Sequence, residues 1–334
     1  MYTEPTDAVF GITYRCNARC LMCNIWQAEG TLGMDCNFYY CIPSTLKTIN
    51  ISGGEPFLRD DIEKIVRIIK LRCPDAQLII STNGFMTERI KRKMSEIIEI
   101  DPDIGVGISI DGIGQMHDMI RGIPGAFDKA LATLQAMQNL GIKNIRIGFT
   151  ISNTNLNHLG KVYNLALEQG VDFGCAVAQN SELYFKTNNN SGIEDLPRLE
   201  EQFNYIISRQ LRTANPKQWA RAFFNYGTYQ FSCGVGRLFD CKAGTDFFYM
   251  DPDGNIYPCN IMNKKMGNIR ASDFNSIWNS QTSSDVRSLV AGCGKNCWMI
   301  CTARTAIKKN FLKVGNWIVQ NKIRSHLFNG KGIF

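Results

Sequence analysis

Six short apolar runs alternate with helix-length amphipathic stretches through the first two hundred residues, and this alternation limits the fold more than any other feature. The strand candidates are 8–13, 48–52, 77–81, 104–110, 144–151 and 172–178. Helix candidates lie near 60–72, 87–99, 125–140 and 156–169; in the second, Thr87 reads as the cap and Ile90, Met94 and Ile97/Ile98 share one face. Strands joined by helices need crossover connections, and right-handed crossovers build a parallel sheet. In βα barrels the chemistry sits in the loops at the C-terminal ends of the strands.

The loop after the first run holds Cys16-Asn17-Ala18-Arg19-Cys20-Leu21-Met22-Cys23. Thiolates so spaced hold zinc or iron–sulfur clusters, and three of them on a four-iron cluster leave one iron open. The second run ends in Ile49-Asn50-Ile51-Ser52-Gly53-Gly54-Glu55-Pro56. Together these segments resemble the radical S-adenosylmethionine (SAM) superfamily, whose signature is a CxxxCxxC loop followed by a GGE motif. A zinc loop, or buried structural cysteines, would leave the second motif unexplained.

The resemblance implies a partial (β/α)6 TIM-like barrel. It implies a [4Fe-4S] cluster on Cys16, Cys20 and Cys23, and SAM with its methionine part on Gly53, Gly54, Glu55 and Pro56. The third, fourth and fifth strands end in Ser81-Thr82-Asn83-Gly84, Ser109-Ile110-Asp111-Gly112 and Thr150-Ile151-Ser152-Asn153. Such residues cap turns and helices; by the resemblance, Ser109 and Asn153 touch SAM. Met22 stands where the family usually has an aromatic, and a thioether also packs on a ring face. His117 reads as a supporting polar residue rather than a catalyst.

The loop Asn188–Gly192, a helical stretch near 194–213 and an aromatic-rich link from Trp219 to Phe231 mark an expected domain boundary. From 233 the composition changes. Cys233, Cys241 and Cys259 precede the triplet Cys293, Cys297 and Cys301, and Phe247–Cys259 reads as a hairpin about a Pro-Asp-Gly turn, before a helix near Phe274–Trp278. This resembles the auxiliary-cluster domain of radical SAM enzymes, called SPASM, or Twitch when shortened. The family pattern C-x9–15-G-x4-C fits Cys241, Gly254 and Cys259, whereas the downstream C-x3-C-x3-C departs from it. Six thiols are too few for two fully ligated clusters, so the resemblance implies one auxiliary [4Fe-4S] cluster. Its ligands are Cys241, Cys259 and two of Cys293, Cys297 and Cys301, with Cys233 not excluded. A zinc knuckle is the alternative. Cys36, Cys41, Cys73 and Cys175 have no motif spacing and read as free thiols.

The expected layout is therefore α/β: a barrel over 5–220, a small hairpin-and-helix iron–sulfur domain over 231–303, and a basic helical tail over 304–334. Thirteen cysteines without a secretory signal suggest a reducing, cytoplasmic setting. The seven Lys and Arg of the acid-free stretch 301–334 equal the whole formal charge of +7. In that tail Ile307, Phe311, Val314 and Ile318 share a helical face. Packing on the barrel is one reading; peripheral contact with the inner face of a membrane is another. Nucleic acid is not expected, for want of a stacking platform.

The resemblance implies reductive cleavage of SAM to a 5′-deoxyadenosyl radical, hydrogen-atom abstraction, and an external donor such as flavodoxin or ferredoxin. An auxiliary cluster suits a net oxidation. Epimerisation needs a hydrogen donor, for which Cys233 and Cys175 are the candidate catalytic thiols. The early position of Cys16 favours a small or carbohydrate-like substrate over a peptide or protein (a RiPP-type modification). A zinc-dependent nucleic-acid-binding protein is the non-enzyme alternative.

Overall fold

In the computed structural model the described residues are 3–28, 33–327 and 333–334. The strands are β1 Asp7–Gly11, β2 Thr48–Ser52, β3 Gln77–Thr82, β4 Gly105–Ser109, β5 Asn144–Ile151, β6 Asp172–Val177, β7 Phe247–Met250, β8 Asn255–Tyr257 and β9 Gly267–Asn268. The helices are α1 Ile62–Arg72, α2 Thr87–Ile98, α3 Gln115–Arg121, α4 Ala126–Asn139, α5 Leu159–Glu168, α6 Leu196–Arg212, α7 Pro216–Ser232, α8 Phe274–Trp278, α9 Gln281–Ala291, α10 Ile300–Lys309 and α11 Phe311–Leu327. All nine strands form one sheet in the order β6-β5-β4-β3-β2-β1-β7-β8-β9. Pairing is parallel from β6 through β1 to β7, and antiparallel in β7-β8-β9. This is the expected α/β partial barrel, extended by one parallel strand and a hairpin.

β1 and β7 are buried on both faces, whereas β5 and β6 alternate buried and half-buried positions, and the two-residue period sorts the side chains. On the extended edge, Ala8, Phe10, Phe248 and Met250 pack outward with Phe274 and Trp278 in the main core, whereas Val9, Phe247, Tyr249 and Tyr257 face a second cluster with Leu183 and Cys301. α10 lies against β1 and α7. Arg304 ion-pairs with Asp7 at the start of β1, and Lys309 with Asp246 just before β7. The expected boundary between 303 and 304 thus falls inside α10, and β7 carries the C-terminal region into the barrel sheet.

The stretch Trp219–Phe231, expected as a link, is helical. Asn215 caps α7 through its side chain and Pro216 occupies the first turn, a start signal that outweighs the modest helix propensity of aromatics. The rings then pack: Phe223 meets Trp317 edge-on and Phe224 stacks on Trp298. Thr87 lies inside α2, not at its cap, which is Met86. Its hydroxyl bonds Thr133 of α4 instead.

Candidate active site and auxiliary cluster site

The cluster loop is held from below by the glycine pair. Gly54 N–H donates to Thr13 O at 2.8 Å and Glu55 N–H to Arg15 O at 2.8 Å. A Cβ on Gly53, where φ is +126°, would lie 2.4 Å from Thr13 O, and one on Gly54 would lie 2.1 Å from Arg15 O. Only glycine lets the end of β2 pass this close beneath the loop. Arg59, buried, donates to Ile12 O and Met34 O and pairs with Asp61, fixing the lead-in to the loop. No motif signalled that residue.

Cys16, Cys20 and Cys23 line one side of a cavity of about 200 Å³ at the C-terminal ends of the strands. Gly53, Gly54, Thr82, Asn83, Ser109, Thr150 and the stretch Ala176–Gln179 line the rest, with Met22, Trp26, Tyr184 and Met299 as its apolar walls. Burial pushes the Cys16 thiol up to about 12 and the Cys23 thiol to about 11. Such thiols need a positive partner to ionise, which a metal cluster supplies.

Glu55 lies beneath the cavity, at the end of β2. Its carboxylate is fully buried and accepts from Phe57 N–H at 3.2 Å, Thr82 Oγ1 at 2.9 Å and Asn83 N–H at 2.8 Å. It ties β2 to β3 beneath the cavity, and Pro56 begins the short turn that follows. Desolvation raises Glu55 to about 7. Asn83 then donates to Asn17 of the cluster loop at 2.7 Å. Ser109 reaches the cavity. Asn153 does not: its amide binds Ser191, Gly192 and Glu194 in the loop after β6. Thr150, on the same strand end, takes the cavity position.

The strongest feature that the motifs missed is a charged chain behind Cys20. Asp111, fully buried, pairs with Arg121 Nη2 at 2.6 Å and accepts from Thr150 N–H at 2.6 Å. Arg121 Nη1 donates to Cys20 Sγ at 3.5 Å. Asp111 and the sulfurs of Cys20 and Cys16 hold the guanidinium above its ordinary range against burial. His117 is a buried, neutral support: its Nδ1 accepts from Asp111 N–H at 2.9 Å, and burial lowers it to about 3. The signal was visible as the run from Asp111 to Arg121, but only folding brings Arg121 onto Cys20, 101 residues away.

The loop after β6 drapes over the cluster loop. Asn190 donates to Met22 O at 3.1 Å, Asn24 N–H to Phe185 O at 2.7 Å, and Tyr184 shares a 2.7 Å hydrogen bond with Ser52. Met22 is buried in the cavity wall beneath it.

Cys241, Cys259, Cys293 and Cys297 line a second, larger cavity of about 840 Å³. The Gly254 turn (φ +81°) sets the hairpin, with Asp251 accepting from the N–H of Asp253 and Asn255. Met262 N–H donates to Cys259 Sγ at 3.3 Å, and Arg237 reaches Cys297 O at 2.6 Å and Cys297 Sγ at 3.8 Å. Cys301 is buried behind them, raised by desolvation and then by Cys259 and Cys297. Cys293 is felt by Cys297 at the cavity rim. Thiol sets of this kind hold zinc or iron–sulfur clusters.

The two candidate hydrogen donors lie elsewhere. Ala176 faces the cavity, so Cys175 beside it faces the helices, 3.4 Å from Asn225 Oδ1 of α7. Cys233 caps the end of α7 near Tyr229 and packs on the main core. Neither lines either cavity.

A parallel-sheet barrel with three thiols over a glycine pair at its mouth, and a second thiol set beside it, defines a two-centre iron–sulfur protein. Comparison agrees: residues 39–166 match the radical SAM superfamily and residues 241–302 match SPASM, an iron–sulfur cluster-binding domain. The chain belongs to the radical SAM superfamily and carries a SPASM domain; its cofactors are [4Fe-4S] clusters and SAM.

Among relatives, the pre-heme d1 synthase of Dinoroseobacter shibae is 27% identical over 311 residues, spanning 83% of this chain and 74% of that protein. The mycofactocin maturase of Mycobacterium tuberculosis is 26% identical over 267 residues, spanning 76% of this chain and 64% of the other. Among solved structures, Streptococcus suis SuiB bound to S-adenosylmethionine superposes with a TM-score of 0.64 at 18% identity, over 85% of this chain and 68% of that one. This last likeness speaks to the fold. Family membership sets aside the zinc-dependent nucleic-acid-binding reading.

Proposed function

We propose that this chain is a radical SAM oxidoreductase that carries out a net oxidation at a C–H position of its substrate. One observation carries the reading: the two cavities share a wall. Cys297 lines one and Met299 the other, two residues apart, and Glu182 and Tyr184 stand in the same relation across the loop after β6. Two residues span at most about 7 Å, so an electron left on substrate in the first cavity has a short path to the second site.

When bound, the first cluster and SAM supply the hydrogen-abstracting radical. The chain's residues do the rest. Cys16, Cys20 and Cys23 hold the cluster, and Gly53 and Gly54 shape the floor. Ser109 and Thr150 offer hydroxyls toward SAM, and Tyr184, Phe185 and Trp26 exclude water. Epimerisation by a thiol donor is disfavoured, because Cys175 and Cys233 sit outside the cavity. The carbohydrate-like substrate draws no support from the relatives, whose names refer to a heme and to mycofactocin. A macrocyclic or peptide-derived substrate is the reading they favour.

Anaerobically reconstituted protein, reduced with dithionite, should form 5′-deoxyadenosine from SAM. With a tetrapyrrole or peptide that is turned over, the product should lose two hydrogens and carry no deuterium from D2O. Deuterium incorporation at unchanged oxidation level would refute the oxidative reading.

A further inference from the structure

α11 is apolar on two opposite sides. Its inner side is packed: Val314, Asn321 and Ser325 are buried, and Trp317 meets Phe223 and Tyr226 of α7. Lys322 Nζ donates to Leu211 O and Thr213 O at the end of α6, and Arg212 donates to Ser325 O. These bonds fix the helix rotation. The opposite side carries Leu312, Val319, Ile323 and Leu327 at i, i+7, i+11 and i+15, each 54–75% exposed, with Phe311 beside them at 67%. At 1.5 Å per residue this strip runs for about 22 Å.

The sequence pattern pointed to Ile307, Phe311, Val314 and Ile318 as the apolar face. Of these, Val314 is buried and Ile307 and Ile318 are packed on the aromatic cluster. The exposed strip is therefore a second face, which packing on the barrel leaves uncovered. An isolated exposed leucine is ordinary, but four exposed apolar side chains on one helix face, with Asn316 between Leu312 and Val319, form a contact surface. Lys308 at the end of α10 and Lys313, Arg324 and His326 on α11 hold exposed positions, and residues 301–334 contain no acid.

We infer that the outer face of α11 seats the protein on an anionic phospholipid surface, with the strip in the interface and the basic side chains toward the headgroups. Charge decides the occupant. A second copy joined through the same strip would set basic residues against basic residues, with no carboxylate on either α11 to oppose them. A nucleic acid offers no apolar surface for Leu312, Val319, Ile323 and Leu327. An anionic bilayer meets both features at once. No helix among the described residues is long and apolar enough to cross a membrane, so the contact is in-plane.

The test is co-sedimentation of the full reconstituted chain with vesicles of equal parts phosphatidylglycerol and phosphatidylcholine, against vesicles of phosphatidylcholine alone. The expected result is pelleting with the anionic vesicles at low salt, lost at high salt. Ile323→Glu and Val319→Glu should each lower the partition coefficient by about tenfold or more. Both positions face away from the barrel, so 5′-deoxyadenosine formation should be unchanged. Where a glutamate variant fails to fold, Lys308→Gln with Lys313→Gln serves instead and should weaken binding to anionic vesicles alone. A chain that stays in the supernatant at low salt, or pellets equally well as Ile323→Glu, overturns the proposal. So does a concentration-dependent dimer that Ile323→Glu dissociates in the absence of lipid binding.

Discussion

Arg121 and Asp111 should move the potential of the first cluster in opposite directions when each is removed. The guanidinium lies 3.5 Å from Cys20 Sγ and 2.6 Å from the Asp111 carboxylate, and both charged groups are buried. A unit charge about 4 Å from another, at an effective dielectric near 20, is worth about 4 kcal/mol. The electron that reduces a cubane spreads over the whole cluster, so roughly half of that acts, about 2 kcal/mol or about 80 mV for one electron. Arg121→Met removes the positive charge, and the potential should fall by about that amount. Asp111→Asn leaves the guanidinium uncompensated, and the potential should rise by roughly half as much, the carboxylate being farther from the sulfur. Asp111→Asn should also lower folding stability by about 3–5 kcal/mol, because a buried charge loses its partner. The assay is an anaerobic titration followed by EPR of the reduced cluster, in a Cys259→Ala background designed to remove the second signal. Shifts of the same sign, or both within about 20 mV of wild type, would refute the argument.

Cys301→Ala should lose the second cluster, and Cys293→Ala should keep it, read as iron per chain. Cys301 is buried against Cys259 and Cys297, whereas Cys293 is only half-buried where it lines the cavity; the opposite pattern would exchange the two roles. Glu55, raised by burial to about 7, keeps its proton in the folded chain at pH values where the unfolded chain has lost it. Its contribution to stability is complete below about pH 4.5 and falls as pH rises to about 7, by roughly 3 kcal/mol. The stability of wild type relative to Glu55→Gln, from urea unfolding, should decline across that window and then level; a flat difference would show that the carboxylate does not titrate there. Gly54→Ala should displace the cluster loop, because its Cβ would lie 2.1 Å from the Arg15 carbonyl. The expected readout is loss of about half the iron together with 5′-deoxyadenosine formation.

The local code was legible. Runs such as Asn144–Ile151 carry their own strand period, and the spacing of Cys16, Cys20 and Cys23 ahead of Gly53-Gly54 pointed to a metal loop over a glycine floor, of which the structure shows the close passage of the two segments. The hairpin about Asp251–Gly254 was equally plain, because a turn's chemistry lies within four residues. What stayed hidden depends on contacts between distant segments. Whether Cys175 or Ala176 faces the cavity is a question of strand phase, decided by which face of β6 meets α7. That Glu55 ties β2 to β3 through Thr82 and Asn83 is likewise visible only in the fold. Trp219–Phe231 reads as a link until the rings find Trp298, Trp317 and each other. The tail shows the division most clearly. Its sequence determines that α11 is basic and apolar on more than one side, but only its docking against α6 and α7 decides which side is covered. The hydrogen bonds of Lys322 and Arg212 that fix the helix rotation join residues more than one hundred positions apart.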